Sequence, residues 1–332
     1  MLKKIKKDKN NEFAHSFPSA PPEEKKLYSQ TQIKLLPRNR RGELTTEQIV
    51  LLIILIASVA VILFFIFKLN LGKTTDSETC HNAVVERGSG VVPKESIPLT
   101  CTTQYICITK DGSCEKMTNP QIEKVSTKED VYNILANQMA DCWWMFGEGK
   151  LNYIGDTFTP NLYCSICSQI AFDNSVDMFP GNEIDKKDFY DYLSNTNASG
   201  KEISYLDYLV GIKDSNALEQ SLKDNAKDFG TINLNNQYYV VMGMFSKVGV
   251  TTWIAGGVAA GAGVALAIVT GGASIPVTVA IIGGGTIGGT AGYFIGTTVK
   301  GESGNDYLSP TLIEANSADF NALKCASIKT IG

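Results

Sequence analysis

Eight cysteines are the residues of this sequence whose type and spacing could do chemistry. All of them follow residue 79 in a chain of 332 residues: Cys80, Cys101, Cys107, Cys114, Cys142, Cys164, Cys167 and Cys325. A one-sided distribution of this kind fits an oxidising exterior, where cysteines pair as disulfides. We therefore expect up to four disulfides, although eight cysteines allow 105 pairings and the spacing does not choose among them.

Cys164 and Cys167 form a Cys-x-x-Cys motif, which could also belong to a thiol oxidoreductase. Such an enzyme needs the first sulfur at a helix N-terminus, where its pKa is lowered. The residues from Asn161 to Phe172 instead predict a β-strand, which places Cys164 on one face and Cys167 on the other. The expected apolar residues on the face of Cys164 are Leu162, Ile166, Ile170 and Phe172. We therefore expect partners elsewhere, with Cys142 or a cysteine of residues 80–114 as candidates.

Other catalytic constellations are missing from the sequence. Its two histidines, His15 and His81, lie on opposite sides of the apolar run described below, so no Ser-His-Asp set and no zinc site is expected. No phosphate-binding loop of the Walker form occurs. Outside the N-terminal 42 residues no basic stripe suggests nucleic acid. We expect no cofactor, no metal and no enzymatic activity.

An uncharged run from Ile49 to Phe67 sets the position of everything else. Its nineteen residues contain one hydroxyl, Ser58, and apolar side chains on every side of a helix. At about 1.5 Å per residue the helix would be roughly 28 Å long, which matches the ~30 Å hydrocarbon core of a bilayer. We predict a transmembrane helix over residues 43–71.

The distribution of charge predicts the direction of this helix. Residues 1–42 carry eleven Lys and Arg and four acids, whereas the whole chain has a net charge of −4. Basic residues close to a span stay in the cytoplasm. We therefore expect residues 1–42 to form a cytoplasmic basic tail or leader, and the acidic bulk of the chain to lie outside the cell membrane.

The residues at this border resemble a known export signal. Arg41-Gly42 followed by Glu43-Leu44-Thr45-Thr46-Glu47 and an apolar run is similar to the class III signal peptide of archaeal type IV pilin-like proteins. The resemblance covers residues 40–67 and implies cleavage after Gly42 by a prepilin-type peptidase. Glu43 would become the N-terminus, and Glu47 would neutralise the new amino group of a neighbouring subunit. The alternative is an uncleaved signal anchor, in which Thr45 or Thr46 caps the helix.

Residues 72–247 predict a disulfide-rich α+β domain outside the membrane. A polar spacer would precede a small β unit over residues 80–114, and Ser126 with Glu129 has the form of a capping box before a helix. Further helices are predicted at 187–193, 205–210 and 215–228, and a buried strand at 237–246. Asn197 begins an Asn-Ala-Ser glycosylation sequon.

Residues 248–299 contain no charge and 14 of the 30 glycines. The pattern predicts a hydrophobic helical hairpin broken near Pro276, with small residues every four positions as in helices that pack closely in lipid. The glycines of this predicted zipper are Gly257, Gly261, Gly284, Gly288, Gly292 and Gly296. The hairpin could reside in the same membrane, enter another membrane, or pack in a soluble oligomer.

Residues 300–332 read as an extracytoplasmic tail joined to the outer domain through Cys325. The fold class predicted from these features is α+β with an N-terminal transmembrane helix and a C-terminal glycine-zipper hairpin. We expect a membrane-anchored cell-surface protein that acts in adhesion or surface assembly. The alternative is a membrane-active protein that inserts or forms pores through 248–299. The expected partners are the lipid bilayer, a prepilin-type peptidase and other copies of the chain, through the zipper or the N-terminal helix.

Overall fold

The computed structural model of the chain divides into two units at Ile62 and Leu63, which are described separately. It describes residues 46–68, 71–91, 93–154, 161–224, 229–247, 249, 265–269, 277–283 and 293–327. Arg41, Gly42, Glu43 and most of the predicted glycine zipper lie outside these ranges.

Helix α1 runs from Thr46 to Lys68, so the helix predicted from the apolar run is present. Every side chain from 46 to 63 is exposed. Among the described residues α1 is the one helix long and apolar enough to cross a membrane. The single hydroxyl of the apolar run 49–67, Ser58 Oγ, donates a hydrogen bond to Leu55 O at 2.8 Å. This hydroxyl is therefore satisfied within the helix, as a polar group in hydrocarbon must be.

The second unit contains helices and a mixed sheet. Its helices are α2 (Leu71–Gly88), α3 (Lys128–Met145), α4 (Lys186–Asn195), α5 (Tyr205–Val210), α6 (Ser215–Asp224) and α7 (Ala318–Ala322), with 3₁₀ turns at Lys94–Ser96 and Pro180–Asn182. Its strands are β1 (Gln104–Thr109), β2 (Gln121–Lys124), β3 (Asn161–Phe172), β4 (Glu183–Asp185), β5 (Thr231–Asn233), β6 (Tyr238–Ser246), β7 (Ala265–Val269), β8 (Val277–Gly283), β9 (Tyr293–Lys300), β10 (Asp306–Glu314) and β11 (Ala326–Ser327).

The main sheet has the order β2-β1-β3-β6-β10-β9-β8-β7. Strand β1 is parallel to β2 and β3, and the remaining neighbours along this path are antiparallel. The short strand β11 pairs in parallel with the first part of β3, on residues Tyr163 and Cys164. Strands β4 and β5 form a separate antiparallel pair. The mixed α+β fold predicted for the outer domain is confirmed.

Strand β3 lies at the centre of this sheet and contains a bulge. Its register against β6 shifts between Ile166 and Ser168, so that Cys167 is the extra residue. A bulge moves the following side chains to the opposite face. Leu162 therefore packs in the cluster on one face, whereas Ile170 and Phe172 join Cys167 in the main core on the other. The strand was predicted correctly, but the predicted common face of Leu162, Ile170 and Phe172 is wrong.

The main core lies between the sheet and helices α2, α3, α4 and α5. Helix α3 contributes Val131, Leu135, Met139, Cys142 and Trp143, which recur at helical spacing and are all buried. The opposite face carries a smaller cluster that includes Leu162, Val241 and Leu323. Helix α7 covers part of that face, where Phe320 packs on Tyr239 with ring centroids 5.1 Å apart.

The N-terminus of α3 lies one residue later than the sequence pattern predicted. Thr127 Oγ1 accepts a hydrogen bond from Asp130 N at 3.2 Å. The Asp130 carboxylate in turn accepts hydrogen bonds from the backbone N–H groups of Ser126 and Thr127, each at 2.8 Å. Thr127 and Asp130 therefore form the capping box, instead of the predicted Ser126 and Glu129. Asp can serve as well as Glu at the third helical position because its carboxylate also reaches the cap.

Residues 71–88 are helical, whereas a polar spacer and then a β-like unit from Cys80 to Cys114 were predicted there; within that unit the strand is present as β1 (Gln104–Thr109). Helix α2 reaches Gly88, and Cys80 lies within it. Val84 is completely buried in the main core, and Ala83 is buried beside it. The polar composition of α2 conceals a narrow apolar stripe, and burial of that stripe outweighs the weak helix propensity of the segment.

The predicted helical hairpin of residues 248–299 is not shown. The described residues within it form strands β7, β8 and β9, which pair antiparallel in sequence order. Gly296 lies in β9 opposite Ala280, and the other five glycines of the predicted zipper lie outside the described residues. The described pieces are rich in Val, Ile and Thr, which favour strands. Each glycine costs a helix about 1 kcal/mol.

The turn between β9 and β10 packs against the turn after α3. A Cβ on Gly301 would lie 2.0 Å from Gly149 O, so only glycine allows the two backbones to approach this closely. Tyr307 is fully buried, and its hydroxyl donates a hydrogen bond to Leu151 O at 2.7 Å. The exit from residues 248–299 is therefore fixed on the main core.

Candidate functional site

All eight cysteines are paired in four disulfides, and the connectivity joins different layers of the domain. Cys80–Cys101 fixes α2 to the segment before β1, and Cys107–Cys114 closes the loop after β1. Cys142–Cys167 joins α3 to β3, and Cys164–Cys325 joins β3 to the segment before β11. Cys164 and Cys167 therefore have different partners. Cys142 was one of the partners expected for this motif.

The alternation of side chains along β3 explains how two cysteines three residues apart reach opposite layers. Cys167 belongs to the main core, where its partner Cys142 projects from α3. Cys164 packs against the smaller cluster, together with its partner Cys325. Gly243 lies opposite Cys164 on β6, and a Cβ there would come within 2.7 Å of Leu162 Cδ1. The small residue leaves room for the closely packed side chains around Cys164.

A cavity of about 190 Å³ lies where three of the disulfides meet. Its lining includes one or both cysteines of Cys80–Cys101, Cys142–Cys167 and Cys164–Cys325, together with Met145 and Phe146 and the polar residues Thr102, Thr103 and Ser165. Thr103 lies immediately before β1, and its Oγ1 donates a hydrogen bond to Ile166 O of β3 at 3.0 Å. The cavity is therefore bordered by residues of three of the four disulfides.

The four disulfides differ in exposure, which controls their chemistry. Cys142 and Cys167 are both buried, with 0% and 3% of their surface exposed. Cys164 and Cys325 are both partly exposed, whereas each of the other two bonds has one buried cysteine. Thiol–disulfide exchange requires access of a thiolate to sulfur. Cys164–Cys325 is therefore the disulfide that a reductant reaches most easily.

Helix α2 is fixed by two polar contacts that the sequence pattern did not predict. Arg87 is buried, and its guanidinium donates hydrogen bonds to Tyr153 O at 2.6 Å and to Ile97 O at 2.8 Å. The His81 ring stacks on Trp144 at 4.1 Å, with Nδ1 2.7 Å from Trp144 O. Because a carbonyl oxygen only accepts, Nδ1 carries the proton in this contact. These partners lie 10 to 66 residues away in the chain, so no local pattern identifies them.

The glycosylation sequon lies in a hairpin between α4 and α5. Asn197 pairs with Ser204 in an antiparallel bridge, and Tyr205 N donates a hydrogen bond to Thr196 O at 2.9 Å. Asn197 is exposed, whereas the middle residue of the sequon, Ala198, is only 2% exposed. The hairpin therefore presents the acceptor asparagine to solvent while its backbone is held against the domain.

Glu148 joins this hairpin to the end of α3. Its carboxylate accepts hydrogen bonds from Tyr208 Oη at 2.7 Å, Lys201 Nζ at 3.1 Å and Lys150 Nζ at 2.5 Å. Lys201 Nζ also lies 4.3 Å from the centroid of the Tyr208 ring. Burial alone would raise the pKa of Glu148, but these hydrogen bonds outweigh burial and lower the pKa to about 2.

Two aspartates lie at the carboxyl ends of the parallel strands β1 and β3. Asp111 accepts hydrogen bonds from Ser113 Oγ at 2.7 Å, Ser113 N at 2.8 Å and Thr109 Oγ1 at 3.0 Å, which lower its pKa to about 2. Asp173 accepts from Ser175 N at 2.9 Å and from Ser113 Oγ at 3.3 Å. These bonds hold the two loops together. The described part of the chain contains no group of three or more His, Cys, Asp or Glu placed to hold a metal.

Of the residues predicted to act in export, only Glu47 is described. It lies in the first turn of α1 and is exposed. A carboxylate at this position is stabilised by the positive end of the helix dipole. This placement is compatible with either a cleaved or an uncleaved N-terminus.

Comparison with known proteins supplies no family for this arrangement. No protein-family model, no curated protein and no solved structure matches the chain. The features of the chain that bear on its function are α1, the four disulfides and the charge distribution of the sequence.

We predict that Cys164–Cys325 is reduced first. Graded dithiothreitol treatment should open it roughly tenfold faster than Cys142–Cys167, because only the first has both cysteines accessible. Differential alkylation followed by peptide mass spectrometry measures each bond in the same sample, and Cys142–Cys167 is the internal control. If Cys142–Cys167 opened first, or if both bonds opened at the same rate, Cys164–Cys325 would not be the more accessible disulfide.

We predict that Glu148→Gln destabilises the domain at neutral pH by about 1–3 kcal/mol, because a charged hydrogen-bond acceptor is lost. The folded pKa lies below the unfolded value. The stabilisation is therefore present above about pH 4.5 and is lost as the pH falls towards 2. Denaturant titrations of the detergent-solubilised chain at pH 7 and pH 3 measure this difference.

The matched control for this measurement is Glu115→Gln, at an exposed position. The difference between the Glu148→Gln variant and wild type should shrink at pH 3, whereas the control should resemble wild type at both values. A difference that does not change with pH would mean that the variant acts through packing alone.

Proposed function

We propose that the chain is a membrane-anchored cell-surface protein that serves in adhesion or surface assembly. The observation that carries the proposal is α1, in which the described side chains from 46 to 63 are all exposed and almost all apolar. Each large aliphatic side chain left in water costs on the order of 1.5–3 kcal/mol. A bilayer removes that cost along the whole helix.

The charge distribution and the disulfides support one orientation. Eleven basic residues precede Glu43, and basic residues next to a span remain in the cytoplasm. The eight paired cysteines all follow α1. Disulfides persist in oxidising compartments. In this proposal residues 1–42 face the cytoplasm and the disulfide-bonded domain faces the exterior.

The export route that we propose is of the pilin-like type. A prepilin-type peptidase would cut after Gly42, recognising the pair Arg41-Gly42, and Glu43 would become the N-terminus. Glu47 lies in the first turn of α1 and follows Glu43 by four residues in the sequence. Copies of the chain could then assemble through α1, with Glu47 of one copy neutralising the amino group of the next.

We predict that Leu55→Arg with Val59→Arg releases the chain from membranes. An arginine at the centre of a span costs about 2.5–3.5 kcal/mol. Wild type should remain in the membrane fraction after a carbonate wash, and the variant should not. The matched control is Val85→Arg with Val91→Arg, at two exposed positions of the second unit, which should leave retention unchanged.

The same wild-type preparation also tests the export route. Mass spectrometry of its N-terminal peptide should show a chain that begins at Glu43. A membrane-retained chain that begins at Met1 would support the uncleaved anchor and remove the pilin-like part. Full recovery of wild type in the soluble fraction would remove the anchor itself.

A second candidate function is a direct action on lipid by residues 248–299. The segment contains no charge, and both of its ends are held by neighbouring strands of the sheet, because Met244 of β6 pairs with Tyr307 of β10. It is therefore an insertion into a β-hairpin of the domain. Such an insertion could engage a membrane while the register of the two flanking strands stays unchanged.

We predict that replacing 248–292 by a short Gly-Ser linker leaves the four disulfides intact, because β6 and β10 pair directly and β9, with the buried Val299, is retained. Dye release from liposomes then compares the linker variant with wild type. Since both proteins carry α1, any additional release by wild type belongs to the segment. Equal release from the two would remove the membrane-active function, and failure of the variant to form its disulfides would show that the segment belongs to the core.

A further inference from the structure

We propose that residues 316–327 form a detachable arm that two copies of the chain exchange, so that Cys164 of each copy is bonded to Cys325 of the other. This inference deepens the proposed surface assembly and rests on it for bringing copies together in one membrane. It names the partner, the surface that receives the arm and the bond that opens first. The product is a closed dimer with two-fold symmetry, because each copy gives and receives the same segment.

The arm is a unit with its own internal hydrogen bonds. Ser317 caps helix α7, and its Oγ accepts a hydrogen bond from Phe320 N at 3.1 Å. Lys324 N donates a hydrogen bond to Asn321 O, also at 3.1 Å. Since donor and acceptor of these bonds both belong to the arm, the arm keeps them when it leaves the domain.

The surface that receives the arm is an apolar face of the main sheet. Its buried side chains from β3, β6 and β10 are Leu162, Val241, Phe245, Leu308 and Ile313. The arm adds Leu323, which is completely buried in this cluster, and Phe320, whose ring packs on Tyr239. Among the described side chains of the arm Leu323 alone is buried. Departure of the arm therefore opens a place that fits a phenylalanine and a leucine three residues apart.

A single residue, Asn316, joins the arm to the sheet. On one side Ala315 N donates a hydrogen bond to Gln237 O at 2.8 Å, and on the other Ser317 already caps α7. Asn316 has a φ of +59°, a left-handed conformation that costs energy in residues other than glycine. In an exchanged arm Asn316 can adopt extended backbone, which removes this cost. Short, strained hinges of this kind favour the exchange of segments between copies.

Besides side-chain packing, the arm is held by its disulfide and by β11. Strand β11 pairs only Ala326 and Ser327 with β3. Cys164 and Cys325 are both partly exposed, so a thiolate reaches this bond more easily than the buried bond between α3 and β3. Opening of one accessible disulfide therefore leaves the arm held by non-covalent contacts alone.

The exchange conserves the number of disulfides and thiols. A low-molecular-weight thiolate attacks Cys325 Sγ, forms a mixed disulfide with it and releases the Cys164 thiolate. That thiolate attacks Cys325 Sγ of a second copy, which forms the first bond between copies and releases the Cys164 thiolate of the second copy. This second thiolate attacks the mixed disulfide and displaces the small thiolate. No oxidant or reductant is consumed.

A second copy is the occupant that fits the open surface. It presents Phe320, Leu323 and Cys325 at the spacing that the surface already holds. The chain's own arm competes for the same place. Confinement of copies in one membrane by α1 raises the effective concentration of the arms of neighbouring copies, which favours exchange over return.

The test uses the full-length chain in detergent micelles. Unlabelled chain and chain labelled with a heavy nitrogen isotope are mixed in equal amounts and treated with a trace of cysteamine. Alkylation stops the reaction, and mass spectrometry of non-reduced peptides identifies the linked pairs. We expect pairs of Cys164 and Cys325 that combine a light and a heavy half at least about tenfold more often than such pairs of Cys142 and Cys167. The second pair is buried and is the internal control.

A hinge variant tests the origin of the exchange. Asn316→Pro fixes φ near −65°, so the chain's own arm cannot return through the observed turn, and the fraction of light-heavy pairs should rise about tenfold. The matched control is Asn119→Pro, at an exposed residue with a φ of +51° outside the arm. This control should exchange like wild type.

A third variant tests the docking of the arm. Leu323→Asp, introduced together with Asn316→Pro, keeps Cys325 but removes the side chain that the apolar face holds. The fraction of Cys164 in light-heavy pairs should fall about tenfold, because an aspartate is not accommodated in an apolar cluster. An unchanged fraction would mean that sulfur is exchanged without docking, which overturns the proposed surface.

Absence of light-heavy pairs from both wild type and the Asn316→Pro variant would overturn the exchange, and an equal rise in the Asn119→Pro variant would overturn the hinge. These outcomes differ from failure of the membrane anchor. Recovery of wild type in the soluble fraction of cells, together with light-heavy pairs in the mixing experiment, would remove the anchor and leave the exchangeable arm in place.

Discussion

The extra residue at Cys167 is the constraint on which the rest of the second unit depends. Strand β3 pairs with β1, β6 and β11, and its bulge reverses which face the following side chains occupy. Without that reversal Ile170 and Phe172 would leave the main core. Cys164 and Cys167, three residues apart, lie on opposite faces of the strand and bond to partners in different layers. The bulge determines which of the side chains after Cys167 join the main core.

The two disulfides on β3 close loops of very different length and therefore restrict the unfolded chain to different extents. Cys142–Cys167 spans 25 residues, whereas Cys164–Cys325 spans 161 and encloses all of 248–299. In the chain-entropy model the longer loop is worth about 5 kcal/mol, compared with about 2 kcal/mol for the 7-residue span of Cys107–Cys114. The long bond closes a covalent ring around the uncharged segment, so the C-terminal part of the sheet stays attached whatever that segment contacts.

The sequence predicted those parts of the fold whose causes are local. Helices α3, α4 and α5 and strands β3 and β6 begin and end near their expected positions, because periodicity, caps and turn residues are read within a few neighbours. Long-range contacts were not predictable in this way. Arg87 binds the carbonyl of Tyr153, and Ser199 binds Asn137 62 residues earlier. Such pairs form only after the layers are stacked, so no spacing in the sequence signals them.

The two uncharged regions of the chain have different secondary structure, which hydropathy alone does not predict. The run from 49 to 67 contains no glycine and forms one exposed helix, whereas 248–299 contains 14 glycines and its described parts are strands. The absence of charged residues indicates only that a segment can be buried away from water. Whether it becomes helix or strand depends on the backbone cost of glycine and on β-branched side chains. Strands β6 and β10 flank the segment and pair with each other. Strand β10 also pairs with β9, so the sheet continues into the segment. The neighbouring sheet thus explains a conformation that the small-residue spacing did not predict.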